Sequence, residues 1–198
     1  MTEQVRVLPL ATKDDWDTCT HWLKRLGVTQ PWQPDAFEAL SLLLPKAAVE
    51  TVIYRFGPAH GDLQVLLMRR PTKEEEPSEA FPGLLHSPGT VIQAPDAIPL
   101  GDDIQARIAR EDLEAAFRRL ETKELAPAKF IGWPQLVDVR LIPEPTRGVF
   151  CCLIHLARIE GTPANGAFYP ADLLPDDLVP SHRIIVPTAL KALSLAAV

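Results

Sequence analysis

The chain is poor in the features that send proteins to membranes, to nucleic acid or to the oxidising cell exterior. Its 198 residues include three cysteines, Cys19, Cys151 and Cys152. An odd number without ligand spacing excludes a disulfide framework and a cysteine-based metal centre. Cys151 and Cys152 lie in an apolar run and read as small, buried or half-buried strand residues. No apolar stretch approaches the roughly 20 residues that a membrane-spanning helix needs, so no membrane partner is expected. Met1-Thr2-Glu3-Gln4 shows no basic region leading into an apolar core, and a reducing cytoplasm is the expected location. Cations are outnumbered, 20 Lys and Arg against 26 Asp and Glu, and the net charge of -6 argues against a nucleic-acid partner. Internal repeats and low-complexity runs are missing too, and nothing in the composition argues for disorder.

What is present is a hydrophobic fraction of 46%, enough to build the core of one ordinary domain with or without an appendage. The 20 prolines are dispersed, which points to many short connections. A change of texture near residue 46 divides the chain into an extension over 1–46 and a domain over 47–198. In the extension, Thr12 and Asp15 resemble a capping box ahead of Trp16, Leu23 and Leu26, and Gly27 closes that helix. Pro34 opens a second helix carrying Phe37, Leu40 and Leu44. Their apolar faces must cover the following domain or a second copy of the chain, a homodimer being the weaker option.

The domain begins with β-branched and aromatic runs. Val49 to Phe56 and Leu63 to Met68, joined by the turn Gly57-Pro58-Ala59-His60-Gly61-Asp62, predict a hairpin. Arg70 to Glu79, charged and holding Pro71 and Pro77, predicts an exposed loop. A Pro-rich loop over Gln93 to Gly101 leads to a long helix capped by Asp102-Asp103. Phe130-Ile131, Leu136 to Leu141 and a central strand Val149 to Leu156 follow. A last helix is expected from about Pro187.

On the long helix, Leu113, Ala116, Phe117 and Leu120 share one face, and Glu124 falls on that same face. Burying a carboxylate there is costly unless a partner or a cation accepts it. The alternative is that Glu124 escapes to solvent at the helix end or pairs with an arginine. His86-Ser87 stands just before the turn Pro88-Gly89, but no Gly-x-Ser-x-Gly elbow supports a serine hydrolase. His155, inside an apolar strand without a partner at ligand spacing, reads as a satisfied core histidine.

The run Phe81-Pro82-Gly83-Leu84-Leu85-His86-Ser87-Pro88-Gly89-Thr90-Val91-Ile92, with the helix ending Arg118-Arg119-Leu120-Glu121-Thr122-Lys123-Glu124-Leu125, resembles the signature of the Nudix hydrolases. That family's box reads G-x5-E-x7-R-E-U-x-E-E-x-G-U, where U is aliphatic. Leu66-Leu67-Met68-Arg69-Arg70 and the segment from Phe168-Tyr169-Pro170 through Leu173-Leu174-Pro175 to His182 resemble further parts of the family, over roughly Ala47 to Leu193. The resemblance implies an α/β/α sandwich with a mixed sheet, here carrying an N-terminal helical extension. It also implies a nucleoside-diphosphate-linked small molecule as ligand or substrate. Glu124 and Glu121 are the implied catalytic and metal-binding carboxylates for Mg2+. Arg69, Arg70, His86, Gly89 and Arg119 are the implied ligand contacts.

The box is incomplete under every alignment. Placing its arginine at Arg118 puts Arg119, Thr122 and Lys123 where glutamates belong. Placing it at Arg119, the preferred register, keeps Glu124 alone, with Ala126 in place of the glycine. A third register keeps Glu121 and Glu124 but puts Leu120 in place of the arginine. Mg2+ is therefore expected to be held weakly, and hydrolysis stands beside catalytically silent binding and an oligomeric structural role. Glu79, Glu111, Glu114 and Asp102 are possible substitutes for the missing carboxylates.

Overall fold

A computed structural model describes residues 13–14, 21, 46–57, 62–92, 113–144 and 147–196. Apart from residues 13, 14 and 21, the expected N-terminal helices, with Trp16 in the first, lie outside these residues, as do Cys19, His60, the 93–101 loop and the cap at Asp102-Asp103. The chain divides into two units, Met1–Leu40 and Ser41–Val198. In the first, Lys13, Asp14 and His21 are helical and exposed.

The second unit is built on strand β1, Lys46–Phe56, whose run of alanine, valine and isoleucine suits burial on both faces. One edge of β1 pairs in parallel with β7, Gly148–Ala157, from Lys46↔Phe150 to Ile53↔Ala157. On the far side of β7 runs β6, Gln135–Glu144, antiparallel and with a bulge between Leu136 and Asp138. The expected central position of the Val149 to Leu156 strand is thus observed.

The other edge of β1 is shared. β2, Leu63–Arg69, pairs with its C-terminal end at Tyr54–Phe56 as the expected hairpin. β4, Gly89–Val91, pairs with its N-terminal part, Glu50 facing Gly89. Between them, β3 at Leu85–His86 pairs with the end of β2. The segment from Leu85 to Gly89 therefore crosses from one neighbour of β1 to the next, and Thr51 N–H donates to Pro88 O at 2.8 Å where it does so. β9, Ala167–Pro170, extends the sheet beyond β2. Two short strands, β5 at Lys129–Phe130 and β8 at Ile159–Glu160, pair with each other.

Helices cover both faces. Alternate residues of β1 point to opposite sides. Val49 meets Ala116, Phe117 and Leu120 of helix α1, described over residues 113–120. Ala48 and Val52 join Ile185, Val186 and Ala189 of helix α2, His182–Ala196. The predicted apolar face of the long helix is the one that packs.

The start of α2 differs from expectation. Proline at a first helical position suggested Pro187, but the helix begins at His182 and holds Pro187 inside it. The stripe His182, Ile185, Val186 and Ala189, spaced by three and four residues, decides the start, because all four are buried against the sheet.

β9 approaches β2 closely beside Gly166, whose φ is 96°. A Cβ there would stand 2.9 Å from Leu67 O. Gly166→Ala is expected to cost about 1–3 kcal/mol, from the left-handed backbone and the clash together. Urea denaturation would read this, and an unchanged midpoint would contradict it.

Candidate functional site

The Leu85 to Gly89 crossing gathers buried polar groups that an interior strand would not tolerate alone. Ser87 has no exposed surface, and its N–H donates to His182 Nδ1 at 3.1 Å, with its Oγ 2.9 Å from the same nitrogen. Because a backbone N–H can only donate, His182 Nδ1 is an acceptor, and the neutral ring carries its hydrogen on Nε2. That nitrogen lies 3.9 Å from Glu50 Oε2. His86 has the opposite tautomer, since its Nδ1 lies 2.8 Å from the Ser87 carbonyl, which can only accept. The two imidazoles meet edge to face, with centroids 5.7 Å apart.

Burial sets the protonation of this cluster. It lowers His86 to about 4 and, helped by the Arg70 charge, keeps the ring neutral. Burial likewise holds His182 well below the usual histidine range, with His86 and Arg70 adding to it. Glu124 is pushed up to about 7 by burial, against the pull of the Gly89 N–H and Arg70. Glu50 rises to about 8, through burial first and then the neighbouring Glu124 charge.

Both carboxylates touch Gly89. Glu124 Oε2 accepts the Gly89 N–H at 3.3 Å. A Cβ on Gly89 would stand 2.8 Å from Glu50 Cδ and closer still to its Oε2. Glycine is needed there for room, since its neighbour's carboxylate fills the place a side chain would take. Glu124 reaches the turn from a π-helical turn, Glu121–Leu125, that continues α1 and buries Leu125. Of the readings left open for Glu124, the structure has the half-buried one, with a backbone N–H as its partner.

The other predicted site residues divide. Arg119 donates to Val91 O at 3.0 Å and ties α1 to β4, beside Gly89. Arg70 grips Glu79 with two bonds, Nε to Oε1 at 2.7 Å and Nη2 to Oε2 at 2.8 Å. Glu79 also accepts the Phe81 N–H and is 5% exposed. The end of the charged loop is therefore anchored, although residues 72–78 are exposed as expected. Arg69 is half-exposed and held by Asp177 at 3.0 Å and by the Gly83 carbonyl. Glu121 is engaged elsewhere, its Oε1 accepting Phe130 N–H at 2.8 Å. Glu114 pairs with Arg118 on the exposed side of α1.

Sequence reasoning overlooked Glu50 and gave Ser87 and His182 no partnership. A signal for Glu50 was present, a lone acid inside the apolar run Ala47 to Ile53. The expected core role of His155 is observed, buried with Nδ1 2.9 Å from Leu153 O. Cys152 is buried and Cys151 half-buried, also as expected. Among the described residues no three His, Cys, Asp or Glu side chains converge as a metal cage, and no helix is long and apolar enough to cross a membrane. The donor set at Gly89, two carboxylates with one unsatisfied oxygen, nonetheless suits a hard cation that takes its remaining ligands from water or phosphate.

No protein-family model matches the chain, and no curated protein does. Solved structures do. A MutT Nudix hydrolase from Burkholderia pseudomallei is 18% identical with a TM-score of 0.51, over 73% of this chain and 98% of that one. A MutT/nudix family protein from Enterococcus faecalis is 12% identical with a TM-score of 0.50, over 94% of this chain and 76% of that one. At such identities the likeness concerns architecture, and the architecture is the Nudix fold.

Proposed function

On this fold we propose that the protein binds a nucleoside-diphosphate-linked small molecule at the Gly89 turn and hydrolyses it with Mg2+ weakly or not at all. The observation that carries the reading is Glu124, a box-position carboxylate held at the turn by the Gly89 N–H. A cation bound there would polarise a phosphoryl oxygen and activate water. Glu124 would hold it, with the second oxygen of Glu121 the weaker contribution, since Glu121 already serves β5. Arg70 and Arg119, though bonded to Glu79 and to the Val91 carbonyl, would attract the phosphates by their charge.

What argues against brisk turnover is the chemistry at the missing positions. In the Arg119 register, which makes Glu124 a box residue, Lys123 stands where the other glutamate of the pair belongs, and it is exposed. A lysine there repels Mg2+ and can itself pair with a phosphate, which favours binding over cleavage.

A hydrolysis screen over nucleoside diphosphate derivatives with Mg2+ and Mn2+ tests this. The expected outcome is little or no turnover, with any residual activity lowered about 100-fold or more by Glu124→Gln. Robust turnover that survives the substitution would put the site elsewhere. Robust turnover abolished by it would keep the site and overturn the reading of a slow or silent enzyme.

A further inference from the structure

The helix provides fewer carboxylates than the resemblance requires, and β1 provides one that it does not require. Glu50 Oε2 is shielded from solvent and accepts no hydrogen bond. His182 Nε2, at 3.9 Å, lies beyond bonding distance and carries a hydrogen, so it offers no lone pair to a metal. Arg70, whose charge acts on both carboxylates, is turned to Glu79 by its two-pronged ion pair. The Glu50 carboxylate is thus buried beside that of Glu124 with nothing bonded to its inner oxygen.

The backbone makes room for this arrangement. Glu50 and Gly89 face each other across the β1–β4 ladder, and the absence of a Cβ at Gly89 is what lets the Glu50 carboxylate lie against it. The N–H of the same glycine fixes Glu124. Carboxylates from two different elements converge on one residue. Like charges so placed repel unless a proton or a cation lies with them, and a hard divalent cation takes carboxylate oxygens and completes its shell with water and phosphate.

We propose that Glu50 and Glu124 together hold a divalent cation, Glu50 of β1 standing in for a carboxylate that the helix lacks. The proposal rests on the ligand reading above only for the phosphates that complete the shell. The cation site itself can be tested without nucleotide.

The test is Mn2+ titration of the full chain, read by the electron paramagnetic resonance of free Mn2+ and by the shift in melting temperature. Wild type is expected to take up Mn2+ and to melt higher with it. Glu50→Gln and Glu124→Gln should each weaken uptake tenfold or more, while a melt without metal shows each variant folded. Gly89→Ala, whose methyl group would displace the Glu50 carboxylate, should weaken it as well. Uptake by Glu50→Gln within twofold of wild type, or no uptake by wild type at millimolar Mn2+, would overturn the proposal. ADP binding measured in chelator reports on the ligand reading separately: its absence alongside intact, Glu50-dependent Mn2+ uptake would remove that reading and leave this one standing.

Discussion

Replacing Glu50 by glutamine raises the melting temperature in metal-free buffer, and by more at pH 8 than at pH 5. The folded protein pushes Glu50 from its ordinary 4.5 up to about 8, through burial and the neighbouring Glu124. The native state therefore holds this proton more tightly than the unfolded chain does. Its contribution to stability is complete below about pH 4.5 and is lost as pH rises through 8. Glutamine resembles the protonated acid in shape and never ionises, so its advantage grows across that window. Glu124, raised to about 7, adds a parallel loss to both proteins. At pH 8 we expect a gain of about 2–4 kcal/mol, the scale of an unpaired buried charge. At about 2–4 °C per kcal/mol this is a readily measured shift. Wild-type and variant melting curves that run parallel from pH 5 to pH 8 would sink the prediction.

His182→Ala should be the most damaging single change near the turn. The ring is buried, and it is the acceptor for the Ser87 N–H. Ser87 has no exposed surface, so water cannot replace the ring without entering the core. Losing the acceptor strands a buried donor, and losing the ring leaves a hole beside Ile185 and Val186. Together these should cost about 3–5 kcal/mol. His182→Phe separates the two effects by keeping volume while removing the acceptor, and should cost about 1–3 kcal/mol. Ser87→Ala keeps the backbone bond and should cost less than either. Urea midpoints of the three variants decide it. A His182→Ala protein as stable as Ser87→Ala would show that the Ser87 N–H bond carries little weight.

The cost of changing His182 and the gain from changing Glu50 arise from one piece of architecture. β2 and β4 share one edge of β1, and the chain must cross between them at Leu85 to Gly89. A crossing segment cannot satisfy its backbone groups by ladder pairing alone. Side chains complete it: His182 takes the Ser87 N–H and Glu124 takes the Gly89 N–H. The polar groups that make this corner a candidate site are also what closes the sheet there.

Much of the frame was legible from local pattern. The β1–β2 hairpin, the central β7 and the apolar stripe Ala116, Phe117 and Leu120 follow from periods of two and 3.6 residues, which depend on the residues' own neighbours in sequence. That period put Glu124 on the packed face but left open whether it would reach solvent; the π-helical turn over Glu121–Leu125 and the Gly89 N–H decide that it stays at the turn. The start of α2 was misplaced because a proline preference of local origin competed with a stripe whose burial depends on the sheet.

By itself, then, the sequence determined the alternation of strands and helices and the faces they bury, since each is written in spacing along one segment. Only the tertiary structure decided which groups meet. Glu50 lies 39 residues before Gly89 and 74 before Glu124, and Ser87 lies 95 before His182. Those pairings exist because strand register sets Glu50 against Gly89 and helix docking brings His182 onto Ser87. Burial at that junction then raises two carboxyls and neutralises two imidazoles, an electrostatic outcome that depends on the surroundings in space and has no counterpart in the order of residues.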